Sequence, residues 1–175
     1  MRYVFGLMHK RPFINFALTL IYLLPMSSRE IYMQSNMPKV QVSVVKEVVD
    51  ETIIYNYQVK NNSIDEVVII DLGFDYESYR AELTVQPINY TLDGHITNRS
   101  GKLPDGWTGK VIYQEETSGY YIEWEIQHPL QKGVLPGQTM EGFSIVLPRE
   151  DVKYIDGHFD VIFRTGVRFS GKISS

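Results

Sequence analysis

Cysteine is missing from all 175 residues of the chain. Disulfide scaffolds, thiolate-held zinc or iron–sulfur centres and thiol catalysis are thereby excluded. Alanine occurs only at Ala17 and Ala81, so the residue that best sustains helices is almost absent. Basic residues are scarce once the first 28 positions are set aside. That stretch holds Arg2, Lys10 and Arg11 and no acid. Taking those three from the 17 basic residues leaves 14 against 21 acids, a net charge near −7 with histidine neutral. Such a balance opposes nucleic acid, whose binding rests on neutralising phosphates, and opposes docking on anionic lipid. No Gly-x-Ser-x-Gly elbow, His-Glu-x-x-His unit or Asp-x-Asp-x-Asp-Gly loop occurs. The residues imply no cofactor and no metal, and no catalytic motif marks the chain as an enzyme.

What is abundant is aromatic and β-branched material. Hydrophobic residues make up 43% and aromatics 13%, with 12 Tyr, 8 Phe and 2 Trp, too apolar for disorder and suited to pleated, half-buried surfaces. The length fits one domain behind a short leader. Residues 1–28 read as that leader. The basic group His9-Lys10-Arg11 precedes the apolar run Ile14 to Leu24, then Pro25 and the small residues Ser27 and Ser28. Basic, apolar and small segments in that order form a secretory signal peptide, and the run is short of the ~20 residues of an ordinary membrane span. No Ala-x-Ala cleavage site is present, so an uncleaved anchor is the other reading and the one route to a membrane. Export to periplasm, cell surface or medium is expected either way. Residues 29–38 read as a linker and 39–175 as the domain.

From Lys39 onward the period is two. Val40, Val42 and Val44 alternate with Gln41 and Ser43. Ile53, Tyr55, Tyr57 and Val59 follow a turn at Asp50-Glu51. Val67 to Ile70, continuing to Phe74, is apolar on both faces and predicts a central strand. Leu83 to Pro87 predicts a short strand, and a polar stretch from Asn89 to Gly106 the longest loop. Trp107–Tyr113 and Tyr120–Gln127 predict a hairpin about Thr117-Ser118-Gly119. Its second arm places Tyr120, Ile122, Trp124 and Ile126 on one face and Tyr121, Glu123 and Glu125 on the other. Thr139–Leu147, Phe159–Phe163 and Val167–Ile173 complete a series of about eight or nine strands at the spacing of a sandwich.

Three stretches carry a resemblance: Tyr55-Asn56-Tyr57-Gln58-Val59-Lys60-Asn61-Asn62-Ser63, Leu103-Pro104-Asp105-Gly106-Trp107, and Leu135-Pro136-Gly137-Gln138 leading to Gly142-Phe143. They resemble the immunoglobulin-like or fibronectin-like modules of bacterial exported proteins, in which a strand ending Val-x-Asn precedes a turn and a Pro-Gly turn enters a core strand. The resemblance implies an all-β, antiparallel immunoglobulin-like β-sandwich behind the helical signal-peptide-like leader. It implies no activity, and the Cys…Trp…Cys hallmark of antibody domains is missing.

Among residues that could carry chemistry, His95, His128 and His158 lie far apart, and His128 and His158 sit beside turn signals, which predicts solvated loop histidines. Acidic pairs occur at Asp65-Glu66, Asp75 and Glu77, Glu115-Glu116, and Glu123 with Glu125. The last pair shares one strand face and could flank a glycosidic bond or hold calcium, although alternation alone places polar residues there. Trp124, between Ile122 and Ile126, is expected in the core. Trp107, beside Tyr113, Tyr120 or Tyr121, could build an aromatic platform for sugar rings or cover the open end of the sandwich. Asn61, Asn89 and Asn98 stand in Asn-x-Ser/Thr sequons, which are acceptors only on a eukaryotic secretory route. Three functions are thus open: an exported structural or protein-interaction module, a carbohydrate-binding module around Trp107, or a glycoside-active enzyme using Glu123 or Glu125. The partner is a protein or a polysaccharide.

Overall fold

A computed structural model describes residues 40–91, 103–149 and 157–175. The expected leader (1–28) and linker (29–38), His95 and the Asn98 sequon lie outside the described residues. Ten strands follow in chain order: β1 (Val40–Val49), β2 (Thr52–Asn61), β3 (Val67–Leu72), β4 (Phe74–Asp75), β5 (Arg80–Ala81), β6 (Trp107–Gln114), β7 (Gly119–Ile126), β8 (Thr139–Pro148), β9 (His158–Phe163) and β10 (Arg168–Lys172).

The first hairpin forms where alternation predicts it. β1 and β2 pair antiparallel from Val40↔Asn61 to Val49↔Thr52, and Asp50 turns the chain with φ at +50°. Asp tolerates that left-handed conformation in a two-residue turn. β8 flanks β2 on its other side. Its Glu141-Gly142 step bulges opposite Gln58, which Gly142 permits with φ at +97°. These three strands make one sheet, in the order β1-β2-β8. The second sheet runs β10-β9-β3-β7-β6, so β3 is central, as its two apolar faces predict. All paired strands are antiparallel.

Two layers are needed because each sheet has one apolar face to bury. Inward residues of both sheets merge into a single core. Trp124 of β7 packs on Tyr57 of β2 and Phe143 of β8, with ring centroids 5.7 and 5.0 Å apart, so the central aromatics bridge the layers. The strand order is that of the immunoglobulin plan. β1, β2 and β8 stand as strands A, B and E, and β3, β9 and β10 as C, F and G, with the β6–β7 hairpin extending the second sheet beyond β3.

Two expectations need correcting. The strand predicted at Leu83–Pro87 is reduced to one residue, Leu83, which exchanges backbone hydrogen bonds with Tyr120 where β3 has ended. The chain then crosses to the other sheet, where Ile88 N–H donates to the Val146 carbonyl. His158 is no solvated loop residue either. It opens β9, and its Nδ1 lies 2.6 Å from Glu82 Oε1.

Candidate functional site

Strand phase decides where the candidate aromatics go. Trp107, Gly109 and Val111 are on the inward side of β6, so the Trp107 ring enters the sandwich, 3% exposed, and meets Phe143 edge-on at 5.1 Å. Tyr113 lies six residues further along the same strand, ~20 Å away at the rise of a strand. There it packs on its cross-strand partner Tyr120, at 5.0 Å. Tyr121 faces the opposite side of the sheet, against Phe74. The platform expected of Trp107, Tyr113, Tyr120 and Tyr121 is therefore not assembled, and the central indole presents no face to a sugar. Trp124 is fully buried as expected, its Nε1 donating to the Tyr90 hydroxyl at 2.8 Å.

Glu123 and Glu125 do share the outer face of β7, where one cation joins them. Lys110, directly across from Glu123 on β6, places its Nζ 3.5 Å from Glu123 Oε1 and in closer contact with Glu125. Both carboxylates are turned toward that ammonium. The Asp65-Glu66 pair is similarly engaged at the far end of the sheet. Arg164 Nε reaches Glu66 Oε2 at 2.5 Å, and its other nitrogens donate to the carbonyls of Pro129 and Gln131.

Sequence reasoning missed a polar row running across all five strands of the larger sheet. Register aligns Ser170, Asp160, Asp71, Glu123 and Lys110 side by side on the outer face. The segment from Phe74 to Ala81, which forms the short β4–β5 hairpin, lies alongside, and Asp71 and Asp160 are 2% and 0% exposed. The Tyr76 hydroxyl donates to Asp71 Oδ2 at 2.7 Å, and the Ser170 hydroxyl donates to Asp160 Oδ1. Arg168 lies over the Tyr76 ring and sets its Nε 2.8 Å from Asp160 Oδ2. That contact is ionic, without hydrogen-bond alignment, and Asp71 Oδ1 has no donor among the described residues. Burial pushes the Asp71 carboxyl up to about 6; the Glu123 and Asp160 charges add to the rise, and the Tyr76 hydroxyl and Arg168 oppose it. Burial also raises Asp160, against the pull of the Ser170 hydroxyl and Arg168.

Two of the sequon asparagines are structural. Asn61, fully buried, donates to the carbonyls of Asp65 and Val134 and accepts from the Ser63 N–H and hydroxyl, which fixes the turn after β2. Asn89, also fully buried, accepts from the Val146 N–H and donates to the Ser144 carbonyl, binding the loop to β8. Neither amide is accessible in the folded domain.

The smaller sheet offers a different kind of feature. Val44 N–H donates to the Ser174 carbonyl and Ser174 N–H to the Val42 carbonyl, so the first half of the β1 edge is paired with the C-terminal segment. By the same backbone phase, Lys46 and Val48 direct their N–H and C=O groups outward along that edge. Among the described residues nothing pairs with them. Val45, Val48 and Val49 beside them are 70%, 55% and 39% exposed.

Fold and site together define an immunoglobulin-like β-sandwich module whose β1 edge is half open among the described residues. By sequence, no protein-family model matches the chain and no curated protein matches it significantly. Among solved structures, an uncharacterized protein from Nocardia farcinica, described as having an immunoglobulin-like fold, aligns at 15% identity. The alignment covers 74% of this chain and 82% of that one with a TM-score of 0.48.

Proposed function

We propose that the domain is a non-catalytic, exported protein-interaction module that captures an extended segment of a partner along the free half of β1. The observation that carries this reading is the edge at Lys46 and Val48, unpaired among the described residues and flanked by exposed Val45, Val48 and Val49. Adding a strand to such an edge supplies affinity through the main chain and selectivity through alternate side chains. Lys46 within it is the kind of charge that restrains indiscriminate pairing, which favours a chosen partner over aggregation. The fold alone is neutral on the matter, since sandwiches host unrelated functions.

The test is a display screen of random twelve-residue peptides against the wild-type chain and a Val45→Lys/Val48→Lys variant. The expected result is enrichment of sequences alternating apolar and polar residues on wild type, lost at least tenfold on the variant. Both substituted side chains are exposed, so an unchanged circular dichroism spectrum is expected beside that loss. No enrichment, or equal enrichment on both proteins, overturns the reading.

A further inference from the structure

A recess lies on the larger sheet, beside the turn between β6 and β7. Its volume is about 340 Å³, and Phe74, Tyr79, Tyr113, Tyr121, Glu115 and Glu116 supply most of its lining. Phe74, 5% exposed, is the centre of the aromatic group. Tyr79 meets it at 5.4 Å and 87°, and Tyr121 at 4.9 Å and 53°. Rings inclined at such angles cannot form the flat row that stacks on a pyranose. They are instead set at steep angles to Phe74 around the same recess. Two carboxylates stand at the rim, and no lysine, arginine or histidine is among the lining residues.

The walls are held in place. Tyr79 sits at φ +51°, a conformation uncommon for a bulky side chain, and its carbonyl accepts from Gln114 Nε2 at 3.2 Å. The same glutamine accepts from Ala81 N–H at 2.7 Å and the Thr117 hydroxyl at 2.8 Å, so it joins the β4–β5 segment to the β6–β7 turn. Tyr79 nevertheless leaves 67% of its surface open to solvent. An exposed aromatic held at one angle beside unshielded carboxylates suits a large, weakly hydrated cation.

We infer that this recess binds a methylated ammonium group, with Tyr79 and Tyr121 facing the cation and Glu115 and Glu116 supplying the opposing charge. The inference goes beyond the edge-strand reading and is independent of it, because β1 belongs to the other sheet. A partner strand on β1 and a cation in the recess could be lost separately.

The experiment is a titration of the full chain with choline, followed by tyrosine fluorescence and calorimetry, beside 3,3-dimethylbutanol, the uncharged carbon isostere of choline. Saturable choline binding is expected, with the isostere at least ~10-fold weaker because it lacks the charge. Tyr79→Ala and Glu115→Gln/Glu116→Gln are each expected to weaken choline ~5-fold or more. All three side chains are exposed, and denaturant midpoints of the variants check that the fold is kept. Absence of saturable binding, equal binding of the isostere, or choline affinity unchanged in both variants overturns the inference. Sedimentation with phosphatidylcholine vesicles, against phosphatidylglycerol vesicles, then assigns the source. Pelleting with phosphatidylcholine alone identifies a lipid headgroup, and its absence beside choline binding identifies a free small molecule.

Discussion

Replacing Asp71 by Asn removes one negative charge from the middle of the polar row while keeping an oxygen to accept the Tyr76 hydroxyl. In the wild type this carboxyl lies between the acids Asp160 and Glu123, with Arg168 bound to Asp160 and Lys110 to Glu123. Burial, with the Glu123 and Asp160 charges adding to it, raises its pKa on folding to about 6 from 3.8. The sign follows from linkage: a carboxyl that holds its proton more tightly when folded stabilises the fold while protonated. That contribution is fully present below pH ~4 and is lost as pH rises through ~6. The gap of about two pH units corresponds to ~3 kcal/mol at neutral pH. The Asn variant escapes this loss, less whatever its amide forfeits by imperfect pairing. Urea denaturation of both proteins at steps from pH 4 to pH 8 reads the difference. The two should be similar at pH 4, and the variant should gain progressively, reaching ~1–3 kcal/mol at pH 7. In melting temperature that is roughly 2–4 °C per kcal/mol for a chain of this size. A variant less stable by a constant amount across the range would refute the reasoning, since Asp71 would then be an ionised, well-solvated partner of Arg168.

Both tryptophans are nearly sealed, at 3% and 0% exposure, so emission should be blue-shifted and resistant to acrylamide. A Trp124→Phe variant isolates Trp107, and red-shifted, freely quenched emission from it would contradict the inward phase of β6. Gly133→Ala should be severely destabilising, by more than ~3 kcal/mol in urea titration. A Cβ there would lie 1.9 Å from the Val67 carbonyl oxygen, and Val67 and Val134 exchange backbone hydrogen bonds beside it. A loss under ~1 kcal/mol would show that the two segments can separate without cost.

Much of the sheet order was legible because alternation survives wherever one face is buried. The arms of the β1–β2 and β6–β7 hairpins, the central place of β3 and the burial of Trp124 all follow from residue phase. Trp107 could have been placed by the same rule, since it shares parity with Val111 on β6. Asp71 and Asp160 show the opposite limit. Each stands at an outward position of its strand, where alternation predicts solvent, yet both are buried. The Phe74–Ala81 segment, which supplies Tyr76 above them, is polar and turn-like, and its paired strands are two residues each. No periodic signal could reveal that. Nor does any local pattern report a free edge: Val48 shares parity with the buried Val42 and Val44, yet it is exposed.

The junction of Ser174 with Val42 joins residues 132 positions apart in the chain. β1 can pair with β2 as soon as both have been made, because only a two-residue turn separates them. Its outer edge has to wait until Ser174 has been made. During that interval the whole row of outward backbone groups, from Val40 to Val49, is open to any strand nearby. A chain that crosses a membrane before folding would arrive with the same exposure. Ser174 thus acts as a seal on the first half of that strand, and the time taken to reach it sets how long misassembly can compete with folding there.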